Sequence, residues 1–401
     1  MKTIFILGAG PLQIPAIRKA KEKGLYVYVL DYDANAPGIP YADFFLPIST
    51  LDREAVCRAA LERNPDYIIT STSDMPVRTV SWVNEKLGKA SDLSYEDSIC
   101  ATDKAAMRRR MQRCGVPLPE FHVIKTEREL REIASETRRR LIIKPTDNSA
   151  SRGVALIDPS QSPDYAALFA FSQSYSRSGE VMVEEFMVGP EVSVESYTVN
   201  GKTNIIAVTD KIVTPPPFFV ELGHIEPSVL PEETLEEIRR VTLSAVVALR
   251  MRNGPNHTEL KITPKGVKLV EIAARLGGDY ITSRLVPLST GVDMIECSFA
   301  TLFGQEPDCE AKFHRGAAIR FLRGNPGILE RIENVTEAKA MQGVVEIECY
   351  KKSGDSVSLL KSSSDRIGHI IAVGKDAEEA ALRTEEALSM IHVVTTPPRV
   401  K

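Results

Sequence analysis

Glu259 and Glu271 are the residues whose spacing points most directly to chemistry. They fall in the run His257-Thr258-Glu259-Leu260-Lys261-Ile262-Thr263-Pro264-Lys265-Gly266-Val267-Lys268-Leu269-Val270-Glu271-Ile272, which reads as a β-hairpin with Pro264-Lys265-Gly266 at its turn. A three-residue loop with glycine in the left-handed position is a favoured connection. That loop pairs Thr263 with Val267 and, stepping outward, sets Glu259 opposite Glu271 on the same face. A loop of two or four residues would put them on opposite faces. Carboxylates that face each other repel, so a positive charge is expected between them. Oxygen ligands of this kind suit Mg²⁺ or Mn²⁺. The plain alternative is an edge hairpin with two solvated glutamates.

A second cluster lies at the amino terminus. The first hundred residues alternate strand and helix: Thr3–Leu7, then Pro15–Lys23, Leu25–Leu30, Glu54–Glu62 and Tyr67–Thr70. That order means βαβ units and a parallel sheet, with ligands at the carboxyl ends of the strands. Those ends carry Gly8 to Gly10, Asp31 and Ser71-Thr72-Ser73-Asp74. Gly8, Gly10 and the distance to Asp31 fit a dinucleotide fingerprint, but Gln13 stands at its third position and Pro11 follows the second glycine. A carboxylate-binding or structural role for the turn is therefore favoured over a dinucleotide.

The remaining chain must position these groups. Asp103–Cys114 reads as a basic helix closed by Gly115, followed by an extended Val116-Pro117-Leu118-Pro119 link. Leu141–Lys144 and Val181–Glu185 read as strands, with helical spacing between them over Tyr165–Phe171. Ile205–Pro231 is a long segment in which Pro215-Pro216-Pro217 forbids regular pairing. Leu235–Leu249 is an amphipathic helix, and near the end Ile370–Val373 precedes a helix over Ala377–Met390.

Bulk properties narrow the class. At 401 residues two or three domains are expected. A net charge of −4 favours neither nucleic acid nor an acidic membrane surface. The Arg108-Arg109-Arg110 and Arg138-Arg139-Arg140 clusters lie beside acidic residues and read as solvated faces. Six scattered cysteines without Cys-x-x-Cys spacing read as reduced thiols, not a zinc site. No apolar run approaches the ~18 residues of a membrane span, and the apolar start stops at Gly8 without a cleavage site. The expected location is the cytoplasm.

The segment Glu271-Ile272-Ala273-Ala274-Arg275-Leu276-Gly277-Gly278-Asp279 resembles the ATP-grasp signature Glu-x-Asn-x-Arg, with the Leu-Gly-Gly-Asp extension of its amino-acid-ligase-like members. Upstream pieces follow in that superfamily's order: the Asp103-Lys104 helix, Ile142-Ile143-Lys144-Pro145, the loop Asn148-Ser149-Ala150-Ser151-Arg152-Gly153-Val154, and Val183-Glu184-Glu185-Phe186-Met187-Val188-Gly189-Pro190-Glu191. The resemblance runs over nearly the whole chain and implies an α/β and α+β fold of ATP-grasp architecture. It implies a Rossmann-like pre-ATP-grasp domain over 1–100 and a lid or small subdomain with its preceding helix over 101–195. A large subdomain with the metal-binding hairpin would cover 196–310, and a carboxyl-terminal α+β subdomain 311–401.

By the same resemblance ATP and Mg²⁺ or Mn²⁺ are the cofactors, the metal held by Glu259 and Glu271. Lys104 and Lys144 look like the lysines that meet phosphates and adenine. Ser149, Ser151, Arg152 and Gly153 belong to a loop whose amides could fold over phosphates. The backbone of Glu184, Glu185, Phe186 and Met187 matches the hinge that reads adenine edges, and Glu191 matches the acid that takes ribose hydroxyls. Arg275 could grip the transferred phosphoryl group in bidentate fashion. Glu221-Leu222-Gly223-His224 resembles the branch's Glu-x-Gly-His element, so Glu221 and His224 are candidate substrate contacts. Ala273 replaces the signature asparagine, as in other members of that branch.

These expectations describe an ATP-dependent carboxylate–amine ligase that forms an amide through an acyl phosphate and releases ADP and phosphate. Its partners would be small carboxylate and amine substrates, by resemblance amino acids, with neither nucleic acid nor membrane, and homodimers are common among such enzymes. One rival is a bicarbonate-activating carboxylase, of the carbamoyl-phosphate or biotin-carboxylase type. The chain lacks the duplication of the first and the biotinyl Met-Lys-Met site of the second. A catalytically silent ATP-binding regulator is disfavoured by both glutamates and Arg275, and a nicotinamide oxidoreductase by Gln13.

Overall fold

Ile4, Phe5, Ile6 and Leu7 have no exposed surface, as expected of a strand covered on both faces in a parallel sheet. They form β1 (Thr3–Leu7), flanked by β2 (Tyr26–Leu30), β3 (Phe44–Leu46) and β4 (Tyr67–Ile69) in the order β3-β2-β1-β4, all parallel. The short β3 is not marked by its sequence. Helices α1 (Ile14–Glu22) and α2 (Arg53–Arg63) form crossovers, and α3 (Pro76–Lys86) follows β4. Strand order reverses at β1, so the turns after β1 and β4 border the crevice where ligands bind in such sheets. The computed structural model describes residues 1–148 and 152–397.

Two short helices follow, α4 (Tyr95–Cys100) and α5 (Lys104–Arg113), the second capped by the Asp103 side chain on Ala106 N–H. A four-stranded antiparallel sheet comes next: β5 (Phe121–Ile124), β6 (Leu141–Pro145), β7 (Ala155–Ile157) and β8 (Val181–Glu185), ordered β5-β8-β6-β7. Helices α6 (Glu127–Ser135) and α7 (Tyr165–Ser174) supply apolar residues to its core, among them Leu130 and Phe169. The expected strands over 141–144 and 181–185 both lie here, the first running one residue further to Pro145.

The largest sheet has eight strands. Its first half is β9 (Glu191–Val199), β10 (Lys202–Val213), β11 (Glu221–Glu226), β12 (Gly254–Thr263) and β13 (Gly266–Ala273). Its second half is β14 (Gly316–Leu322), β16 (Val344–Cys349) and β18 (Gly368–Gly374), giving the order β13-β12-β9-β10-β11-β14-β18-β16. Within 205–231 pairing lapses around Pro215-Pro216-Pro217, as the prolines require, while the residues on either side lie in β10 and β11. One face packs on α8 (Glu232–Ala248) through Ile238, Val241 and Ala245. Short helices α9 (Val286–Thr290) and α10 (Met294–Leu302) join this sheet to the amino-terminal domain in one core. A small sheet of β15 (Gly327–Glu333), β17 (Ser356–Val357) and β19 (His392–Thr396), with α11 (Val335–Lys339) and α12 (Ala377–Met390), ends the fold. No helix among the described residues is long and apolar enough to cross a membrane.

The β12–β13 hairpin corrects the expected register and still reaches the expected outcome. Thr263 pairs with Gly266, not Val267, so the loop is the two residues Pro264 and Lys265. Continued unchanged, that register would set Glu259 against Val270. A bulge between Leu260 and Glu259 leaves Val270 unpaired and brings Glu259 opposite Glu271. The Val270 carbonyl accepts from Arg108 Nη2 of α5 at 2.8 Å.

The link from β8 into β9 passes over this hairpin at Gly189. Its φ is +141°, and a Cβ there would lie 1.8 Å from the Ile262 carbonyl oxygen. Gly189→Ala is expected to cost about 3 kcal/mol, read as a lower denaturant midpoint. Val188→Ala, at an exposed neighbour, should stay within about 0.5 kcal/mol. Equal midpoints for the two variants would contradict the close-approach argument.

Candidate active site

Strand alternation puts Glu191, Ser193 and Glu195 of β9 on one face, beside His257, Glu259 and Lys261 of β12. Pairing then sets the rungs: Lys211–Glu191–Lys261, Ser193–Glu259–Glu271 and Glu195–His257. Opposite charges thus meet across most of this face. Glu191 receives Lys211 Nζ at 2.6 Å and Lys261 Nζ at 3.1 Å. Glu259 receives Lys211 at 3.1 Å and His257 Nε2 at 3.4 Å, and Glu271 receives Lys104 at 2.9 Å. The positive charge demanded by the facing glutamates is therefore supplied within the protein by lysines from β10 and α5.

These side chains wall a cavity of about 460 Å³ between the two antiparallel sheets and the amino-terminal domain. Lys104, Lys144, Arg152, Glu184, Glu185, Phe186, Met187, Glu191, Glu221, His224, Glu259, Glu271 and Arg275 all line it. Gly153 does not, and its positive φ and contact with Tyr175 and Pro145 mark it as a packing glycine. Ser149 and Ser151 lie outside the described residues.

Burial sets the protonation of several groups. Glu184 is 4% exposed and lies between Arg108 Nε and Lys144 Nζ, both at 2.5 Å. Burial alone would raise its pKa, but the two cations outweigh it and bring it down to about 2. This overturns the reading of Arg108-Arg109-Arg110 as a solvated face: Arg108 and Arg110 are buried, and Arg110 pairs with Asp97. For Lys144, burial pushes the ammonium below its usual range despite Glu184, with Arg108 and Lys104 adding to the shift. For Lys211, burial opposes the charge, but Glu191, Glu259 and Glu221 raise it well above normal. Burial likewise works against the Glu259 carboxylate, yet Lys211 and His257 hold it well below the usual range. Burial lowers His257, but Glu195 at 2.5 Å drives it up to about 9. Glu195 has no exposed surface, and a Cβ on Gly277 would lie 2.5 Å from its Oε1.

Arg275 is held by Asp74 of the amino-terminal domain, Nε to Oδ1 at 2.5 Å, and its Nη1 donates to the Leu276 carbonyl at 3.0 Å. These bonds use two of the five guanidinium N–H donors, so Nη1 and Nη2 keep donors for the expected bidentate grip on an anion. His224 is 1% exposed, with Nε2 at 3.3 Å from Asp279 Oδ2 and its ring edge-on to Phe321. Asp279 takes both terminal nitrogens of Arg366, at 2.8 and 2.9 Å. Burial would raise the Asp279 carboxyl, but His224 and Arg366 hold it far below its usual range. Arg366 also donates to Glu221 Oε2 at 3.0 Å and lies over the Phe321 ring.

The sequence reading assigned no site role to Arg108, Glu195, Lys211, His257 or Arg366. Only the alternation of Thr209 and Lys211, and of His257 and Glu259, signals a polar strand face. The dinucleotide reading finds no room: Asp31 Oδ2 accepts from Ala9 N–H at 2.8 Å, and Gln13 packs beside Gly8. The two opposed carboxylates fit a divalent cation that keeps water and phosphate oxygens as its other ligands.

Residues 137–283 match the ATP-grasp domain, and 320–396 match the L-amino acid ligase C-terminal domain 2. An uncharacterised protein of Sinorhizobium fredii is 29% identical over 301 residues, 74% of this chain and 61% of that one. Alanine–anticapsin ligase of Bacillus subtilis is 27% identical over 263 residues, 60% of this chain and 55% of that one. The chain thus spans less than two thirds of these relatives. The crystal structure of an L-amino acid ligase from Bacillus licheniformis superposes with a TM-score of 0.83 over 99% of both chains at 22% identity.

Glu184 offers a test of the buried charges. Its folded pKa of about 2 lies below the ordinary 4.5, so it contributes about 3 kcal/mol that is present above pH 4.5 and lost as pH falls toward 2. Glu184→Gln should destabilise the protein by about 3–5 kcal/mol at neutral pH and flatten the loss between pH 5 and 3. An unchanged acid-unfolding profile would show that Glu184 is not held ionised.

Proposed function

We propose that this chain, a member of the ATP-grasp family, is an ATP-dependent carboxylate–amine ligase that joins amino acids through an acyl phosphate. The observation that carries the reading is the facing pair Glu259 and Glu271, with Lys104, Lys211 and Arg275 around it in one cavity. ATP brings about four negative charges, and phosphoryl transfer depends mainly on position and charge neutralisation. Lys104 and Lys144 stand where phosphates need cations. The amides of Glu185 and Phe186 already donate to the Glu120 and Arg140 carbonyls, so adenine would meet the other backbone groups of the 184–187 stretch. Glu191 would take ribose hydroxyls only by sharing Lys211 and Lys261.

Glu259 and Glu271 would hold Mg²⁺ or Mn²⁺, which when bound neutralises phosphate charge and polarises the phosphoryl oxygens. The substrate carboxylate oxygen attacks the γ-phosphorus, the bond to ADP breaks, and an acyl phosphate forms. An amine nitrogen then attacks the acyl carbon, loses its proton and expels phosphate, leaving an amide. Arg275, oriented by Asp74, would face the transferred phosphoryl group with its remaining Nη1 and Nη2 donors. His224 and Glu221, oriented by Asp279 and Arg366, would face the acyl portion. Water must be kept from the acyl phosphate, which it would otherwise hydrolyse.

The test is phosphate release from ATP with amino acid pools, with bicarbonate, and with neither. Amino acids should stimulate release and yield an amide product. Glu259→Gln and Glu271→Gln should each lower stimulated turnover by about 100-fold or more, and chelation should abolish it until Mg²⁺ or Mn²⁺ is restored. Stimulation by bicarbonate alone would favour a carboxylase, and no stimulation by any pool would reject the ligase.

A further inference from the structure

The amino-terminal domain contributes Leu12, Thr72 and Asp74 to the cavity wall. They come from the turns after β1 and β4, the crevice where a parallel sheet binds ligands. Glycine-rich turns at this place often receive phosphate on their amides. Here the first two of those amides are engaged. Gly8 N–H donates to the Leu30 carbonyl at 2.8 Å, and Ala9 N–H to Asp31 Oδ2 at 2.8 Å, so a carboxylate of the protein occupies the anion position. Gln13, 5% exposed, fills the space beside the glycines. A Cβ on Gly8 would lie 3.4 Å from its Cδ, and one on Gly10 2.9 Å from its Oε1. Its Nε2 donates to Thr72 Oγ1 at 2.8 Å and Ser73 Oγ at 2.7 Å. The two turns are thereby clipped together.

That clip holds Leu12, half-buried on the 3₁₀ turn Pro11–Gln13, where Pro11 fixes the backbone φ. Leu12 stands against Gly278, where a Cβ would lie 3.6 Å from Leu12 Cδ1, and Ile281 lines the same cavity. Leu12 and Ile281 give the wall an apolar patch beside Gly278, and the Asp31 carboxylate already holds the Ala9 amide that a phosphate would need.

We propose that the glycine-rich turn is a size gate: Leu12 limits the side chain of the amino acid bound beside Gly278, and Gln13 is the residue that positions Leu12. The proposal rests on the ligase reading and adds that the gated substrate carries no phosphate. Leu12→Ala opens the gate to bulky side chains, and Leu12→Phe closes it further.

The experiment measures phosphate release with ATP for the wild type and both Leu12 variants, offering the standard amino acids in pairs and O-phosphoserine beside serine. The readout is the ratio of kcat/KM for phenylalanine to that for alanine at each substrate position, which a general loss of activity leaves unmoved. Leu12→Ala should raise this ratio at one position by about tenfold or more, and Leu12→Phe should lower it comparably. Gln13→Leu, which keeps bulk but drops both hydrogen bonds, should raise the amino acid KM more than it lowers kcat. The wild type should prefer serine to O-phosphoserine. Identical ratios in all three proteins, or a preference for O-phosphoserine, overturns the gate alone. No turnover by the wild type with any pair overturns the ligase reading and the gate with it.

Discussion

Glu259 and Glu271 face each other across one rung of an antiparallel ladder, and the surrounding charges exist in relation to that pair. Direct repulsion across a rung is worth up to about 1 kcal/mol. Leaving one partner of a buried ion pair unmatched costs about 3–5 kcal/mol, so placement of the cations decides the outcome. Lys211 comes from β10 and Lys104 from the first turn of α5, far apart in sequence. The two elements must therefore dock accurately on the β12–β13 hairpin. Any ligand with concentrated negative charge would find these lysines held in place by the carboxylates beside them.

The fold was largely legible where periodicity was strong. The alternating first hundred residues, the strands over 141–144 and 181–185 and the helix over 377–390 follow from pattern alone. The three-residue Phe44–Leu46 strand is too short for its pattern to separate it from a loop. The segment over 205–231 shows a different limit. Three prolines dominate its composition, yet they fall in a connection, and the residues on either side pair normally. The hairpin is more instructive still. A two-residue loop and a bulge at Val270 each shift the register by one residue, and the two shifts cancel. Loop chemistry alone did not reveal the bulge, because the Val270 carbonyl is taken by Arg108, 162 positions away.

The site was legible in part for the same reason. Residues within local motifs gather around one cavity, whereas Lys211 and Glu195 are set by pairing between distant strands, and Arg366, just before β18, by ion pairs with Asp279 and Glu221. Arg108 stood closer to recognition. It lies four residues after Lys104 and three before Met111, and these share one helical face. Its two arginine neighbours obscured that spacing, although successive residues on a helix point about 100° apart. The buried triad of Arg108, Glu184 and Lys144 fixes the α5 helix to β8 and β6. A lysine so placed keeps one orientation toward the cavity while its charge is only partly offset.

Arg275 carries the argument from the hairpin to the amino-terminal domain. Its backbone position follows from Glu271 along β13 and the residues after it, but its guanidinium direction comes from Asp74. The next residue, Leu276, donates its N–H to the Ser71 carbonyl at 3.1 Å, so backbone and side chain are both tied to the turn after β4. That turn is in turn tied by Gln13 to the turn after β1. The amino-terminal sheet is thus rigidly connected to the one arginine of the signature segment. A displacement of either turn would redirect a cation toward or away from the facing glutamates. A ligand held at those turns would consequently be coupled to charge placement at the hairpin through a few contacts, although the parallel sheet contributes no lysine to the facing glutamates.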